Sequence, residues 1–198
     1  MSGDDIDDIA AALGRANGVT SDFDLNPETV LPANRRLRPA GVLVPLIQRH
    51  GQTRVILTMR SSRLKHHPGQ IAFPGGKQDE GDTDVTAAAL REAHEEIGLS
   101  PDNVHVLGRL SSHETVTGFN VTPVVGRVLN PFTPTPEAGE VAEVFEVPLQ
   151  HLLTLGQYRV EGRHWRGTRR LYYTVPYGPY YIWGATARML RALADVAG

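Results

Sequence analysis

The chain has 198 residues, 40% of them hydrophobic and 21% charged, with a formal net charge of −2 at pH 7. That length allows one domain with a substantial core and no need of metal or disulfide staples. Zero cysteines exclude disulfides, a zinc ribbon, an iron–sulfur cluster and a thiol nucleophile. The near-neutral balance supplies no global field toward nucleic acid or anionic lipid, so neither is an expected partner.

The N-terminus is acidic through Asp4, Asp5, Asp7 and Asp8, the wrong chemistry for a signal or transit peptide. Ile6, Ile9 and Leu13 are spaced for one face, which predicts a short helix from Asp5 to about Ala16. A stretch with Pro27, Pro32, Arg35, Arg36, Arg38 and Pro39 then reads as an extended arm, so residues 1–39 form one unit and 40–198 the domain. No apolar run approaches the roughly 20 residues that span a bilayer. A soluble, cytoplasmic protein is expected.

Ala40–Ile47 and Thr53–Met59 are apolar runs separated by Arg49-His50-Gly51-Gln52, which is hairpin spacing with a glycine in the turn. Further strand-like runs are Val104–Leu110, Val121–Val128, Val141–Val147 and Arg170–Val175. Helices are predicted over Asp84–Ile97 and Gly184–Val196. Strands, one well-marked helix, more strands and a terminal helix indicate an α+β or mixed α/β fold without regular βαβ alternation. Pro131, Pro134 and Pro136 mark a loop long enough to be functional or disordered.

The helix over Asp84–Ile97 carries the chemistry. Val85, Ala89, Leu90, Ala93 and Ile97 fall on one side at about 100° per residue, and Gly98 suits a stop. Glu92, Glu95 and Glu96 occupy a single arc beside that apolar face. Such carboxylates repel one another, and only Arg91, four residues before Glu95, is placed to compensate. A solvated acidic surface is the ordinary outcome of a Glu-Glu pair. Here the acids border the buried stripe and follow a Phe73-Pro74-Gly75-Gly76 turn, which favours a hard-oxygen site for Mg2+ or Mn2+.

Gly76-Lys77-Gln78-Asp79-Glu80-Gly81-Asp82, then Arg91-Glu92-Ala93-His94-Glu95-Glu96-Ile97-Gly98-Leu99, resembles the Nudix box. The first half departs from it, with Asp82 where glutamate is usual and one extra residue before Arg91. That insertion leaves Asp82 and Asp84 as alternative partners for Arg91. Upstream, Ile56-Leu57-Thr58-Met59-Arg60-Ser61, Lys65, Gly69 and Phe73-Pro74-Gly75-Gly76 resemble the signature of coenzyme A-cleaving Nudix enzymes, in which the insertion is also usual. That signature usually has leucine at Ile56 and arginine at Lys65.

The resemblance spans roughly Ala40 to Leu190. It implies an α/β/α sandwich with a central mixed sheet and the box helix packed on it. It also implies metal-dependent hydrolysis of the diphosphate of coenzyme A, or of an acyl derivative. The products are adenosine 3′,5′-bisphosphate and 4′-phosphopantetheine or its acyl form. Glu92, Glu95 and Glu96 are assigned to metal with a backbone carbonyl of the turn, from Gly75 or more particularly Gly76. Glu95 or Glu92 is the expected proton acceptor, with Glu140 and Glu143 as acids that reach the site from beyond the Pro-rich loop or serve only as surface charges.

Arg60, Arg63 and Lys65 put three cations within six residues, suited to phosphate oxygens. Ser61, Gly69 and Phe73 complete the expected substrate contacts, and the alternative for the loop is plain solvation. His66 and His67 read best as exposed loop residues. The tyrosines from Tyr172 to Tyr181 and Trp183 read as packing, with adenine stacking as the alternative. The expected partner is a small coenzyme A-type nucleotide, and a homodimer is open. Two rival readings remain: a Nudix hydrolase for ADP-ribose or another nucleoside diphosphate derivative, and a catalytically silent nucleotide-binding module.

Overall fold

The computed structural model describes residues 4–14, 18–32, 34–64, 67–165 and 167–198, with the backbone alone for Asp4 and Trp165. In chain order the elements are α1 (Asp4–Leu13), β1 (Thr20–Ser21), β2 (Arg38–Arg49), β3 (Gln52–Arg60), β4 (Ile71–Ala72), β5 (Gly75–Lys77) and α2 (Val85–Ile97). They continue with β6 (Val104–Arg109), β7 (His113–Glu114), β8 (Phe119–Val128), β9 (Val141–Pro148), α3 (Leu149–Leu153), β10 (Arg159–Trp165), β11 (Thr168–Thr174) and α4 (Gly184–Ala197). β10 and β11 form a separate two-stranded sheet, and β1–β9 form one mixed sheet.

β2 is the hub of the mixed sheet. It runs parallel to β8 and antiparallel to β3 at its far end, while β5 pairs with it at Ala40–Val42. The β2–β3 turn places His50 and Gly51 both at positive φ, the type I′ geometry whose twist matches the strands. Period-two alternation then splits the core. Leu43, Ile47, Ile56, Val124 and Val128 face Ala89, Ala93 and Ile97 of α2. Val44, Leu46, Val55, Leu57 and Val125 face the opposite way, toward the layer that holds α1, α3 and α4. Helices on both faces make the α/β/α sandwich expected from the sequence.

The predicted elements recur with small shifts at their ends, and α1 is described as far as Leu13. Ile6, Ile9 and Ala12 are buried in the main cluster with α4, and Arg38 and Pro39 already belong to β2. Residues 20–26 form a strap. His113, fully buried, bonds Thr20 Oγ1 through Nδ1 (2.9 Å) and Asp22 Oδ1 through Nε2 (3.0 Å). Asn26 exchanges two hydrogen bonds with the backbone of Leu171, fastening the β10–β11 hairpin to the domain.

Among the described residues no helix is long and apolar enough to cross a membrane.

Candidate active site

α2 is closed at both ends by its own sequence. The Asp84 carboxylate accepts from the N–H groups of Thr86 and Ala87, both at 2.9 Å, satisfying donors the first turn leaves open. Gly98 stops the helix in the left-handed conformation at φ 72°, where a glycine meets no Cβ penalty. Beyond it the Pro-rich loop returns to the same terminus. Thr135 N–H donates to Ile97 O (3.0 Å) and Glu137 N–H to Glu96 O (2.9 Å), so two orphan carbonyls gain partners. The loop is therefore latched to the box helix, and it delivers Glu140 beside the box.

The Gly75-Gly76 turn has a steric explanation. A Cβ on Gly75, which sits at φ 153°, would lie 2.5 Å from Gly41 O and Val42 Cα of β2. A Cβ on Gly76 would lie 2.5 Å from Oε1 of Glu92. The first glycine lets the turn press against the central strand, and the second leaves room for a carboxylate. Gly75 N–H also donates to Glu96 Oε2 at 3.1 Å.

Arg91 organises the acids. Its Nε and Nη2 take the two oxygens of Asp82, each at 3.0 Å, while Nη1 reaches Glu92 Oε1 and Glu95 Oε2, also at 3.0 Å. Of the two acids the sequence left open, Asp82 pairs with Arg91, while Asp84 caps the helix and pairs with Arg109. The bond to Asp82 raises the affinity of Arg91 for its proton well above the usual guanidinium value.

Burial differs along the arc. Glu96 is 5% exposed, whereas the Glu95 side chain is 57% exposed. Desolvation pushes Glu96 up to about pKa 7; Gly75 N–H and Arg60 oppose the shift, while Glu92 and Glu140 add to it. Glu92 also moves upward, because burial outweighs its contact with Arg91. Arg60 and Glu140 thus both lie within the electrostatic reach of Glu96. They meet at the end of β3, where Ser61 N–H donates to Glu140 O at 2.8 Å.

The other expected substrate contacts fall in different places. Arg60 makes no ion pair among the described residues and lies within electrostatic reach of Glu96, whereas Arg63 is exposed. Ser61 is buried and its Oγ accepts from Arg63 N–H, so that hydroxyl serves the loop turn. The Gly69 N–H is committed to Arg60 O at 3.0 Å. Phe73 is buried in the main core, which makes its ring a support for the turn. Lys65 and His66 lie outside the described residues. Glu143 accepts from the Tyr180 hydroxyl, and Tyr180 stacks on Phe145 with ring centroids 3.6 Å apart, so packing holds this tyrosine.

The donor set is all oxygen, which fits a hard divalent cation. A desolvated Glu96 with one N–H partner and the cradle for Glu92 at Gly76 agree with that chemistry. Among the described residues no three carboxylates converge on one point, because Arg91 draws Glu92 and Glu95 to itself.

Comparison with known proteins agrees with the geometry. The family described as NUDIX domain matches residues 37–171. An "Uncharacterized Nudix hydrolase NudL" of Citrobacter koseri is 44% identical over 170 residues, covering 86% of this chain and 85% of that one. The protein so described from Klebsiella pneumoniae is 45% identical over 157 residues, covering 79% and 81%. Among solved structures, a C. elegans Ap4A hydrolase binary complex superposes with a TM-score of 0.50 at 21% identity, over 60% of this chain and 85% of that one, a likeness of fold. By family match, by relatives and by a box helix built around Arg91 and three glutamates, the chain belongs to the Nudix hydrolase family.

Proposed function

We propose that the chain hydrolyses the diphosphate bond of coenzyme A or its acyl derivatives, releasing adenosine 3′,5′-bisphosphate and 4′-phosphopantetheine or its acyl form. One observation carries the reading. Arg60, from the upstream signature that resembles coenzyme A-cleaving members, lies within electrostatic reach of Glu96 and has no ion-pair partner among the described residues. A free guanidinium beside the carboxylates suits a diphosphate oxygen.

Glu92, Glu95 and Glu96, with the Gly76 carbonyl, would hold Mg2+ or Mn2+. When bound, the ion neutralises charge on the diphosphate and makes a coordinated water more acidic. Glu92 or Glu95 takes the proton of the attacking water, and the burial that raises the proton affinity of Glu92 suits it to that work. Arg60 holds phosphate oxygens, and Arg63 and Lys65, which follow it in the sequence, add further cations. The Gly75 N–H fixes Glu96, so the arc is positioned before substrate arrives.

The test is product analysis after incubation with coenzyme A, ADP-ribose or NADH, each with Mg2+ or Mn2+. Adenosine 3′,5′-bisphosphate and 4′-phosphopantetheine support the reading. Intact coenzyme A alongside cleaved ADP-ribose overturns it and leaves a Nudix hydrolase of another specificity.

A further inference from the structure

A net charge of −2 conceals a segregation of charge. Residues 159–170 hold five arginines and a histidine against a single acid, Glu161, and no lysine. They form most of the β10–β11 hairpin, whose register sets Arg163 directly opposite Arg170 and His164 opposite Arg169. Arg163 and Arg170 are like charges facing each other across two strands, which destabilises a hairpin. The lone acid, Glu161, makes no ion pair with them among the described residues; its carboxylate accepts instead from the hydroxyls of Tyr181 (2.7 Å) and Thr174 (3.4 Å). Among the described residues Arg159, Arg163, Arg169 and Arg170 make no ion pair.

The cations continue onto the domain. Arg170 and Arg35 both lie over the ring of Phe23, at 5.9 and 5.8 Å from its centroid, and Arg38 lies over Phe119 at 4.0 Å. Arg38 opens β2, three residues before Gly41, which pairs with Gly76 of the catalytic turn. At strand rise, that separation is about 10 Å. A stripe of guanidiniums interleaved with rings therefore starts near the catalytic end of β2 and runs out along the hairpin.

We propose that this stripe, in which Arg35 is held by Glu114 while Arg38, Arg170 and Arg163 make no ion pair among the described residues, binds the backbone of a single-stranded polynucleotide through those three arginines. Arginine forks take successive phosphates bidentately and also stack on bases, which is what a flexible strand offers. A lipid surface fits less well. Phe23 and Phe119 are covered by guanidiniums, and on the described hairpin side chains Val160 is the exposed large aliphatic group. This reading goes beyond coenzyme A cleavage and does not depend on it.

The experiment measures anisotropy of a fluorescein-labelled single-stranded oligouridylate with the full chain, in chelator, across a salt series. The parent should bind at low salt. Arg163→Ala/Arg170→Ala should weaken binding about tenfold or more. It should also flatten the plot of log affinity against log salt by about 1.4, roughly 0.7 for each phosphate no longer neutralised. The control is Arg54→Ala/Arg127→Ala, which removes the same charge at the opposite end of β2, where Arg127 pairs with Leu46 and Arg54 with Ile47. That variant should bind like the parent. Arg163→Gln alone, which spares the Arg170–Phe23 contact, guards against loss of fold and should show a smaller change in the same direction. Equal losses in the stripe and control variants overturn the proposal. So does a parent that ignores the oligonucleotide, whether or not it binds phosphatidylserine vesicles.

Discussion

Arg91 grips Asp82 with two arms of its guanidinium, Nε to Oδ1 and Nη2 to Oδ2, both at 3.0 Å. The pair joins the loop after the Gly75-Gly76 turn to the middle of α2, and the remaining arm spans Glu92 and Glu95. Lysine carries the charge but cannot reproduce this fork. Arg91→Lys should keep the fold and lower kcat/KM by about 10- to 100-fold, the usual cost of losing a group that orients a site's ligands. In a double-mutant cycle with Asp82→Asn the two changes should be strongly non-additive. Additive effects would show that the fork does not hold the site together.

The two glycines of the turn should fail in different ways. At Gly75 an added Cβ meets the backbone of β2, which cannot yield, and the residue sits at positive φ. Gly75→Ala should therefore cost about 1–3 kcal/mol of stability, read from chemical denaturation. At Gly76 the added atom meets the Glu92 carboxylate, the movable end of a side chain. Gly76→Ala should leave the midpoint nearly unchanged and lose most of its turnover. Equal destabilisation of both variants would contradict this steric account.

Much of the architecture was legible because its signals are local. The stripe of Ala89, Ala93 and Ile97, the stop at Gly98 and the His50-Gly51 turn each follow from neighbouring residues. What was not legible depends on distant partners. β4 and β7 are two residues long and exist through pairing with β3 and β8. β10 lacks an apolar alternation because Arg159, Glu161 and Arg163 occupy one of its faces. The arc of three glutamates could be drawn from helical spacing alone. The choice of Asp82 over Asp84 for Arg91 could not, since both acids stand before the helix at plausible spacings. The Pro-rich loop likewise gave no sign that it caps Glu96 and Ile97 and so brings Glu140 to the box.

Asp84 offers a test of pH dependence away from the reacting groups. The Ala87 N–H first, then Arg109 and the Thr86 N–H, hold its carboxyl below the ordinary aspartate range of about 3.8. A depressed carboxylate contributes stability that is present above the unfolded pKa and lost as pH falls through the folded one. Asp84→Ala should cost about 1 kcal/mol at neutral pH, the usual worth of an N-cap. Below about pH 4 the difference between variant and parent should shrink, because the parent then loses its charged cap. A gap that persists undiminished into acid would mean that the charge of Asp84 is irrelevant to α2.

The glutamate arc should divide fold from catalysis. Glu96→Gln is isosteric, and its amide is uncharged at a buried position, so the fold should survive. Turnover should fall by orders of magnitude, since several kcal/mol of metal-borne charge stabilisation depends on such ligands. Glu92→Gln should behave similarly, and Glu95→Gln, at an exposed position, should show whether the outer carboxylate is needed. Near-normal turnover in all three variants would reduce α2 to an ordinary acidic surface.

The last prediction separates Arg60 from Arg63. Arg60 ends β3 and Arg63 lies in the loop that follows; Arg60 acts electrostatically on Glu96, against the effect of its burial, while Arg63 is exposed. A cation at the carboxylate cluster belongs to the diphosphate, which coenzyme A and dephospho-coenzyme A share. Arg60→Ala should therefore reduce kcat/KM for both substrates alike. A charge-assisted contact of about 1.5–3 kcal/mol corresponds to roughly ten- to a hundredfold. Arg63→Ala tests the outer part of the loop. If Arg63 reaches the 3′-phosphate, coenzyme A cleavage should fall while dephospho-coenzyme A cleavage holds. Should Arg60→Ala spare dephospho-coenzyme A, its guanidinium serves the 3′-phosphate and not the scissile group. Should both variants cleave both substrates like the parent, the loop is merely solvated. The case for coenzyme A would then rest on sequence resemblance, with no contribution from the charge that faces Glu96.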